Sequence, residues 1–242
     1  MLQTIDSVDS TNLELARRWR AGTAGHGDML RARHQTGGRG RMGRSFVAEP
    51  DEALLLSMLY LAEDSPQLRE HAGWFTFATA LAMRQALKVL GCTAQLKWPN
   101  DLYISGRKLG GVLGEALEPA DGRFPLIVGV GVNTSATTPP SPEATSLAIE
   151  NLPHDEDAVV TLISAFRAEL EPRLAAANTG MTDVLHAELT GCCLSLGRRV
   201  GVTTHSGLRI EGTALEISPS GALLVDTPSG PTEVAGADAD LI

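Results

Sequence analysis

One stretch, GGRGRMGR at residues 37–44, decides how the rest of the chain is interpreted, because it combines four glycines with three arginines. Glycines let the backbone approach an anion closely and adopt positive φ angles that expose successive N–H groups. Arginines present planar, forked donors that match phosphate and carboxylate oxygens. The spacing is not that of a Walker phosphate-binding loop. The stretch predicts an anion-binding loop, although a solvated loop or an RNA contact fits its composition equally well.

A second signal is KWPND at residues 97–101. A lysine at the end of a strand, a proline-fixed turn and two short polar residues can aim the ammonium of Lys97 and the carboxylate of Asp101 into one cleft. RKLGG at residues 107–111 places another cation, Lys108, beside glycines just before an apolar strand. Taken alone, the first segment fits an ordinary turn with a buried tryptophan equally well, and the second is a weak signal because such lysines usually face solvent.

The segments around these signals have strand-like and helix-like patterns. Short apolar runs bounded by turn residues predict strands, and apolar residues at helical spacing predict helices. The predicted strands are Leu2–Asp6, Asp28–His34, Ala53–Leu61, Ala94–Trp98, Asp101–Ile104, Lys108–Ala116 and Phe124–Asn133. The predicted helices are one that starts at a Thr11/Glu14 capping box and stops at Gly22, one from Trp74 to Lys88 with Gly91 as its C-cap, a long one capped by Asp155, and Met181–Leu189.

The hydrophobic pattern of the sequence changes near residue 190. Leu194–Ile242 contains short runs of alternating apolar residues separated by Gly, Ser and Pro turns, which is typical of a small antiparallel barrel. We therefore expect two domains, residues 1–190 and residues 191–242. The hydrophobic content of 43% is enough for a well-buried core.

Six segments occur in an order that resembles one family. They are Ser10-Thr11-Asn12, Gln35, residues 38–43, residues 97–101, residues 107–111 and GVGVN at residues 129–133. Together they resemble the biotin–protein ligases over essentially the whole chain. The resemblance implies an α+β fold, in which a class II synthetase-like mixed β-sheet with flanking helices forms the catalytic domain and a small SH3-like β-barrel follows it. It also implies ATP-dependent ligation of biotin to a lysine of a biotin carboxyl carrier domain through biotinyl-5′-AMP, with Mg²⁺ accompanying ATP.

The resemblance also assigns roles to individual residues. Biotin would be bound by Ser10, Thr11, Asn12, Gln35, Gly38, Arg39, Gly40, Arg41 and Lys108. ATP and the adenylate would be bound by Arg41, Arg44, Phe46, Lys97, Asn100 and Asn133. The catalytic set would be Arg39, Lys97, Lys108 and Asp101. The position of Asp101 in the turn beside Lys97 adds the hypothesis that it accepts a proton from the carrier lysine or orients its amine. No Cys/His cluster has ligand spacing, so no residue is expected to ligate a structural metal.

Two features depart from the family's usual pattern. Family members often carry a tryptophan shortly after the Gly/Arg loop, where it closes over adenine, whereas this chain has Phe46 there. A phenyl ring can still stack, although with less surface. Some members also carry an N-terminal helix-turn-helix that represses transcription, and only nine residues precede Ser10 here. We therefore expect a ligase without repressor activity.

The bulk properties narrow the class of protein further. A net charge of −9 argues against a nucleic-acid-binding protein. The sequence has no signal-peptide pattern and no apolar run of about 18 residues. Its three cysteines lack metal-ligand spacing and fit reduced thiols. We expect a cytoplasmic enzyme that is a monomer or a homodimer, with no membrane or nucleic-acid partner.

Two other functions fit parts of the same sequence. A lipoate or octanoate ligase or transferase of similar fold would also acylate a carrier lysine, but the polar groups of Ser10–Asn12 and Gln35 suit a ureido ring better than an aliphatic chain. A nucleic-acid-binding module could use the Gly/Arg loop as its contact. The acidic net charge and an aromatic content of only 4% disfavour that alternative.

Overall fold

The computed structural model of the chain describes residues 1–120, 122–139, 141–204 and 206–242. Within these ranges the chain forms two β-sheets and five α-helices. The strands are β1 (Leu2–Val8), β2 (Met29–Gln35), β3 (Ala53–Glu63), β4 (Gln95–Lys97), β5 (Asp101–Ile104), β6 (Arg107–Ala116), β7 (Arg123–Asn133), β8 (Arg199–Thr203), β9 (Arg209–Ile217), β10 (Leu223–Thr227), β11 (Gly230–Val234) and β12 (Asp238–Leu241). The helices are α1 (Thr11–Arg20), α2 (Pro66–His71), α3 (Gly73–Ala86), α4 (Glu156–Asn178) and α5 (Thr182–Cys192).

The larger sheet has seven strands in the order β1-β2-β3-β7-β6-β5-β4. Strands β1 and β2 are parallel, and the other neighbouring pairs are antiparallel. The central strands β3 and β7 pair along their whole length, from Ala53↔Asn133 to Glu63↔Arg123. Their long apolar runs suit this position because both faces of a central strand are covered. The predicted mixed sheet is confirmed.

Helices cover both faces of this sheet. Strand residues alternate between the two faces, so Met58 and Leu59 of β3 point in opposite directions. Met58 lies in the larger hydrophobic core together with Trp74 of α3 and Phe166 of α4. Leu59 lies in a second, smaller core with Leu15 of α1. The sheet is therefore enclosed between α1 on one side and α3 and α4 on the other.

The start of α1 differs from the sequence prediction. The helix begins at Thr11 as expected, but Ser10 occupies the N-cap position, and its side chain makes no capping hydrogen bond to the described backbone. Glu14 pairs with Arg18 at 2.8 Å rather than reaching back to the helix start. The Thr11 hydroxyl donates to Gln35 Oε1 at 2.9 Å. The predicted capping box is wrong because the polar groups at this end are used in tertiary contacts.

Two elements, α2 and β12, were not predicted. The residues of β12 belong to the segment ADADLI, and aspartate is depleted in strands, so its local sequence does not favour pairing. The other predicted elements are present with small shifts of their ends, and Gly91 adopts the expected left-handed conformation with φ 76°. Among the described helices, none is both long and apolar enough to span a bilayer.

The strands β8–β12 form a second, antiparallel sheet in the order β11-β10-β9-β8-β12. It corresponds to the predicted small barrel. Trp98 joins it to the larger sheet, because its backbone N–H donates to Ser195 Oγ at 3.1 Å and its indole Nε1 donates to the Gly221 carbonyl at 3.0 Å. Leu96 and Val200, from the two sheets, lie in the same hydrophobic core. The second sheet is thus packed beside the KWPND turn.

Candidate active site

One cavity brings together most of the residues that the sequence singles out. The start of α1, the end of β2, the Gly/Arg loop and strands β6 and β7 meet there. The predicted residues that line it are Ser10, Thr11, Asn12, Gln35, Arg39, Gly40, Arg41, Arg44, Phe46, Asn100, Asp101 and Lys108. The other lining residues are Ser45, Leu55, Gly111, Val112, Leu113, Gly129, Val130 and Gly131. Segments far apart in the sequence therefore form a single site.

A network of buried polar groups forms part of the cavity wall. Gln35 Oε1 accepts hydrogen bonds from the backbone N–H and the hydroxyl of Thr11, at 2.7 and 2.9 Å. Ser57 Oγ lies 2.7 Å from Thr11 Oγ1 and 2.5 Å from Asn12 Oδ1. Asn12 Nδ2 donates to Glu115 Oε2 at 2.8 Å. Because burying a polar group without a partner is costly, this network fixes donors and acceptors at defined positions.

Ser57 is a member of this network that the sequence prediction missed. Its single hydroxyl proton can be donated to Thr11 Oγ1 or to Asn12 Oδ1, but not to both at once. One of these two oxygens can therefore still accept a hydrogen bond from a bound molecule. Ser57 is completely buried in the apolar run of β3. A small hydroxyl residue inside such a run is the signal that could have found it, since buried polar groups need partners.

Two glycines of β7 make room for the cavity. A Cβ atom at Gly129 would lie 2.2 Å from Asn12 Oδ1, and one at Gly131 would lie 2.8 Å from Cζ of Phe46. A larger residue at either position would therefore displace Asn12 or the Phe46 ring. The GVGVN segment serves the cavity through these glycines, whereas its last residue, Asn133, lies outside the cavity lining.

Asp101 lies between two lysines where strands β5 and β6 meet the cavity. Lys108 Nζ is 2.6 Å from Asp101 Oδ1, and Lys97 Nζ is 3.9 Å from Oδ2. Lys97 is buried behind Asp101, where its Nζ is also 3.7 Å from Asp240 Oδ1 and 5.5 Å from the ring centre of Tyr103. Burial, followed by the nearby carboxylate of Asp101, raises the pKa of Tyr103 to about 12. The phenol therefore stays neutral at pH 7, and its ring offers the ammonium an uncharged π-surface.

The Gly/Arg loop is fastened by ion pairs to both sheets. Arg39 Nη1 lies 2.9 Å from Glu115 Oε1 of β6. Arg41 Nε lies 3.2 Å from Asp238 Oδ1 of β12, and Arg44 pairs with the other oxygen of the same carboxylate. The three arginines line the cavity while they are paired. The ion pairs therefore hold the loop against both sheets while most of its residues face solvent.

Three predicted residues, Gly38, Lys97 and Asn133, do not line the cavity. The Gly38 carbonyl accepts a hydrogen bond from the Phe46 backbone N–H at 3.0 Å, which closes the base of the loop. The Asn133 side chain is buried and donates to a backbone carbonyl at 2.9 Å. Asn100 lines the cavity, but its Nδ2 likewise donates to a backbone carbonyl, at 2.6 Å. The two asparagines thus hold the backbone of neighbouring segments.

The sequence prediction also missed the acidic partners of the cations. Glu115, Asp238 and Asp240 contact the arginines of the loop and the ammonium of Lys97. Asp238 and Asp240 belong to the second sheet, and no local pattern connects them with a loop so distant in the sequence. A cavity with a buried polar network beside paired cations can hold a neutral polar ring and an anion at the same time.

No group of three or more His, Cys, Asp or Glu side chains within the described ranges is arranged to hold a metal ion. The predicted assignment of no structural metal ligand thus stays a prediction. The acidic groups around the cavity are instead engaged by arginines and lysines, as the Lys108–Asp101 distance of 2.6 Å illustrates.

Comparison with known proteins identifies the family. The family model described as "Biotin/lipoate A/B protein ligase family" matches residues 4–133, which are more than half of the chain. The chain belongs to this ligase family. A second model, "Biotin protein ligase C terminal domain", matches residues 195–241 of this ligase, the region that forms the second sheet.

Individual relatives extend the match over nearly the whole ligase. The biotin–[acetyl-CoA-carboxylase] ligase of Mycobacterium tuberculosis is 31% identical over 242 residues, covering 98% of this chain and 87% of the relative. The bifunctional ligase/repressor BirA of Bacillus spizizenii is 28% identical over 243 residues, covering 98% of this chain and 72% of the relative. The biotin protein ligase from Aquifex aeolicus in complex with biotin and ATP has a TM-score of 0.81 at 25% identity, covering 100% of this chain and 99% of that one. The resemblance inferred from the six segments is confirmed, and the matches support biotin ligation as the general activity.

Proposed function

We propose that this ligase activates biotin with ATP to biotinyl-5′-AMP and then transfers the biotinyl group to a lysine of a biotin carboxyl carrier domain. One observation carries the proposal. The buried hydroxyl and amide groups of residues 10–12 and the partly buried amide of Gln35 share a cavity with three arginines and Lys108. Biotin combines a neutral polar ring with a carboxylate that must approach a triphosphate. It therefore needs both the uncharged polar groups and the cations of this cavity.

The ureido ring of biotin binds at the buried polar network. This ring offers one carbonyl acceptor and two N–H donors. The Ser10 hydroxyl, which lines the cavity, can donate to the carbonyl, and the side-chain oxygens of Thr11 and Asn12 can accept from the N–H groups. The network already holds these side chains in place, so little ordering is required when biotin binds. Val112 and Val130 also line the cavity and provide apolar contact for the rest of the molecule.

Activation of the carboxylate depends on charge neutralisation. The carboxylate of biotin is ionised at pH 7, so no general base is needed before its oxygen attacks the α-phosphorus. The new P–O bond forms as the bond to pyrophosphate breaks, and negative charge accumulates between the two groups. Arg39, Arg41 and Lys108 line the cavity, where they stabilise this charge.

Mg²⁺ bound to ATP would supply further neutralisation of the phosphates. In such complexes, phosphates and water provide most of the ligands, and the protein adds one or two carboxylates. The carboxylate of the lining, Asp101, is engaged by Lys108 at 2.6 Å, so in this cavity the phosphates and water would supply the ligands of the ion. The same lining supports the assignment of Phe46 to adenine stacking, because its ring faces the cavity beside Gly131.

Transfer to the carrier breaks the mixed anhydride. The neutral amine of the carrier lysine attacks the acyl carbon, an amide bond forms, and AMP leaves. Asp101 accepts the proton of the incoming ammonium or orients the amine, while Lys108 remains beside the acyl phosphate. Lys97 acts through Asp101, and Asn100 and Asn133 act through the backbone that they hold.

The division into a catalytic domain of residues 1–190 and a C-terminal domain of residues 191–242 is part of the proposal. The contacts of Asp238 with Arg41 and Arg44 indicate how the second domain takes part in the first domain's cavity.

The test is to incubate the purified protein with ATP, Mg²⁺, labelled biotin and a biotin carboxyl carrier domain. We expect biotinyl-5′-AMP when the carrier is omitted, and label on one carrier lysine when it is present. A carrier with that lysine changed to arginine is the control. Failure to form either product would contradict the proposal.

Two further arms of this experiment test the alternatives. Labelled lipoate and octanoate should not be transferred, because an aliphatic chain forms no hydrogen bonds with the polar groups that line this end of the cavity. Efficient transfer of either acid, without transfer of biotin, would establish the lipoate alternative instead. The absence of repressor activity is tested by a salt-dependent gel shift with DNA, in which we expect no specific complex because the chain carries a net charge of −9.

A further inference from the structure

Strand β12 brings two carboxylates to the cations of the cavity. Asp238 and Asp240 are two positions apart, so they lie on the same face of the strand. Asp238 contacts Arg41 and Arg44, and Asp240 contacts Lys97. The Asp240 side chain is 59% exposed, whereas that of Asp238 is only 12% exposed. The desolvated Asp238 is therefore the stronger of the two contacts.

The geometry at Asp238 leaves donors available on both arginines. Arg41 uses Nε for the carboxylate and Nη2 for the Ala237 carbonyl, at 3.2 and 3.3 Å. Arg44 uses Nη2 for the same carboxylate. A guanidinium has five N–H donors, so the pairing with Asp238 does not engage Nη1 of either arginine. Both arginines line the cavity in this paired state, which means that Asp238 holds them at the cavity wall rather than away from it.

We propose that Asp238 is a positioning residue, which orients Arg41 and Arg44 from the second sheet so that their remaining donors meet the phosphates of ATP and of the adenylate. The proposal rests on the function proposed above. An arginine that is already held in place loses less conformational entropy when it binds a phosphate. The C-terminal sheet thereby contributes to nucleotide binding without touching the nucleotide.

The test compares Asp238→Asn, which removes the charge but keeps the size, with Asp238→Glu, which keeps the charge. Asp226→Asn is the matched control, because Asp226 is an exposed aspartate of the same sheet, on β10. For Asp238→Asn we expect the KM for ATP in adenylate formation to rise about tenfold or more, as for the loss of a charge-assisted contact. The Kd of biotin measured without ATP should rise much less than the KM for ATP, since the polar groups of residues 10–12 and Ser57 do not contact Asp238. Asp238→Glu should recover part of the loss, and Asp226→Asn should match the wild type.

A second measurement follows the loop without any ligand. Trypsin cleavage after Arg41 and Arg44 should be faster in Asp238→Asn than in the wild type and in Asp226→Asn, because the loop has lost its contact with β12. Unchanged cleavage together with an unchanged KM for ATP would overturn the inference. An equal loss of ATP and biotin binding would also overturn it, since that result indicates a general structural defect.

These outcomes are separable from failure of the proposed function. If the wild type forms no biotinyl-5′-AMP, the proposed function is wrong, and the assignment of Asp238 to the nucleotide falls with it. If the wild type forms the adenylate but Asp238→Asn behaves identically, the proposed function stands and only the positioning role is wrong.

Discussion

Lys108 Nζ lies 2.6 Å from Asp101 Oδ1, and this pair joins β6 to β5 at the cavity. Lys97 approaches the other carboxylate oxygen only to 3.9 Å. Oδ2 is therefore the oxygen that can receive a third ammonium, that of the carrier lysine. The same carboxylate can hold Lys108 beside the acyl group and receive the incoming amine.

Replacement of Asp101 by asparagine should separate the two chemical steps. The amide keeps the size of the side chain but accepts a proton poorly, so transfer from pre-made biotinyl-5′-AMP to the carrier should fall by about 10²-fold or more, the usual scale for loss of a positioned acid or base. Adenylate formation should change much less. Single-turnover transfer and pyrophosphate release measure the two steps, and a variant that transfers at the full rate would show that Asp101 is not needed.

Replacement of Arg39 by alanine should let the adenylate escape. Arg39 lines the cavity and is held by Glu115 at 2.9 Å, so its loss removes an anion contact worth roughly 1.5–3 kcal/mol. We expect faster release of biotinyl-5′-AMP into solution, measured by filter retention of labelled adenylate. The control is Arg33→Ala, which breaks the exposed ion pair between Arg33 and Asp51, two residues that do not line the cavity. Retention equal to that of the wild type would contradict the role of Arg39.

Replacement of Ser57 by alanine should weaken biotin binding selectively. The hydroxyl holds the side chains of both Thr11 and Asn12, so without it biotin must order these two side chains when it binds, at a cost of about 1–3 kcal/mol in total. The Kd of biotin should rise by about 5- to 150-fold, while the KM for ATP stays within about twofold of the wild type. Calorimetric titration measures the first quantity. Ser164→Ala, at an exposed position of α4, is the control, and an unchanged biotin Kd in Ser57→Ala would remove this serine from the site.

Replacement of Glu156 by glutamine should lower stability without affecting the site. Arg31 is buried and pairs with both oxygens of Glu156, at 2.6 and 2.8 Å, which ties β2 to α4. Loss of the carboxylate leaves the guanidinium without its counter-charge and should cost about 1–3 kcal/mol of unfolding free energy, since the glutamate itself is half-exposed. Denaturant unfolding measures this cost, with Glu171→Gln as the exposed control.

The Arg31–Glu156 ion pair makes the free energy of unfolding depend on pH. Arg31 holds the pKa of Glu156 below its ordinary value. A depressed folded-state pKa contributes stability that is present above the unfolded pKa and is lost as pH falls through the folded pKa. The difference in stability between the wild type and Glu156→Gln should therefore be largest near neutral pH and shrink in acid. A difference that is constant down to acid pH would contradict the ion-pair explanation.

Local patterns were sufficient to predict most of the architecture. The apolar runs that became β3 and β7 are long enough to mark the buried centre of a sheet, and Gly91 marks the end of a helix. The glycine and arginine content of residues 37–44 indicated an anion site because those residue types act through their own chemistry. Residues from all six predicted segments line one cavity or lie next to it.

Tertiary partners could not be predicted in the same way. The Thr11/Glu14 pattern fits a capping box, but the Thr11 hydroxyl instead donates to Gln35 and lies within hydrogen-bond distance of the Ser57 hydroxyl, both on other strands. Asp238 lies in a strand with unfavourable local propensity, and its partners are residues of a distant loop. Such contacts depend on how two sheets pack, which a local pattern does not encode.

A crystal structure of the protein with biotin and a non-hydrolysable ATP analogue provides the decisive measurement. We predict that the ureido ring lies within hydrogen-bond distance of Ser10, Thr11 or Asn12. The biotin carboxylate and the α-phosphate should meet between Arg39 and Lys108. Density for either ligand outside this cavity, or a carboxylate directed away from both cations, would contradict the proposed site.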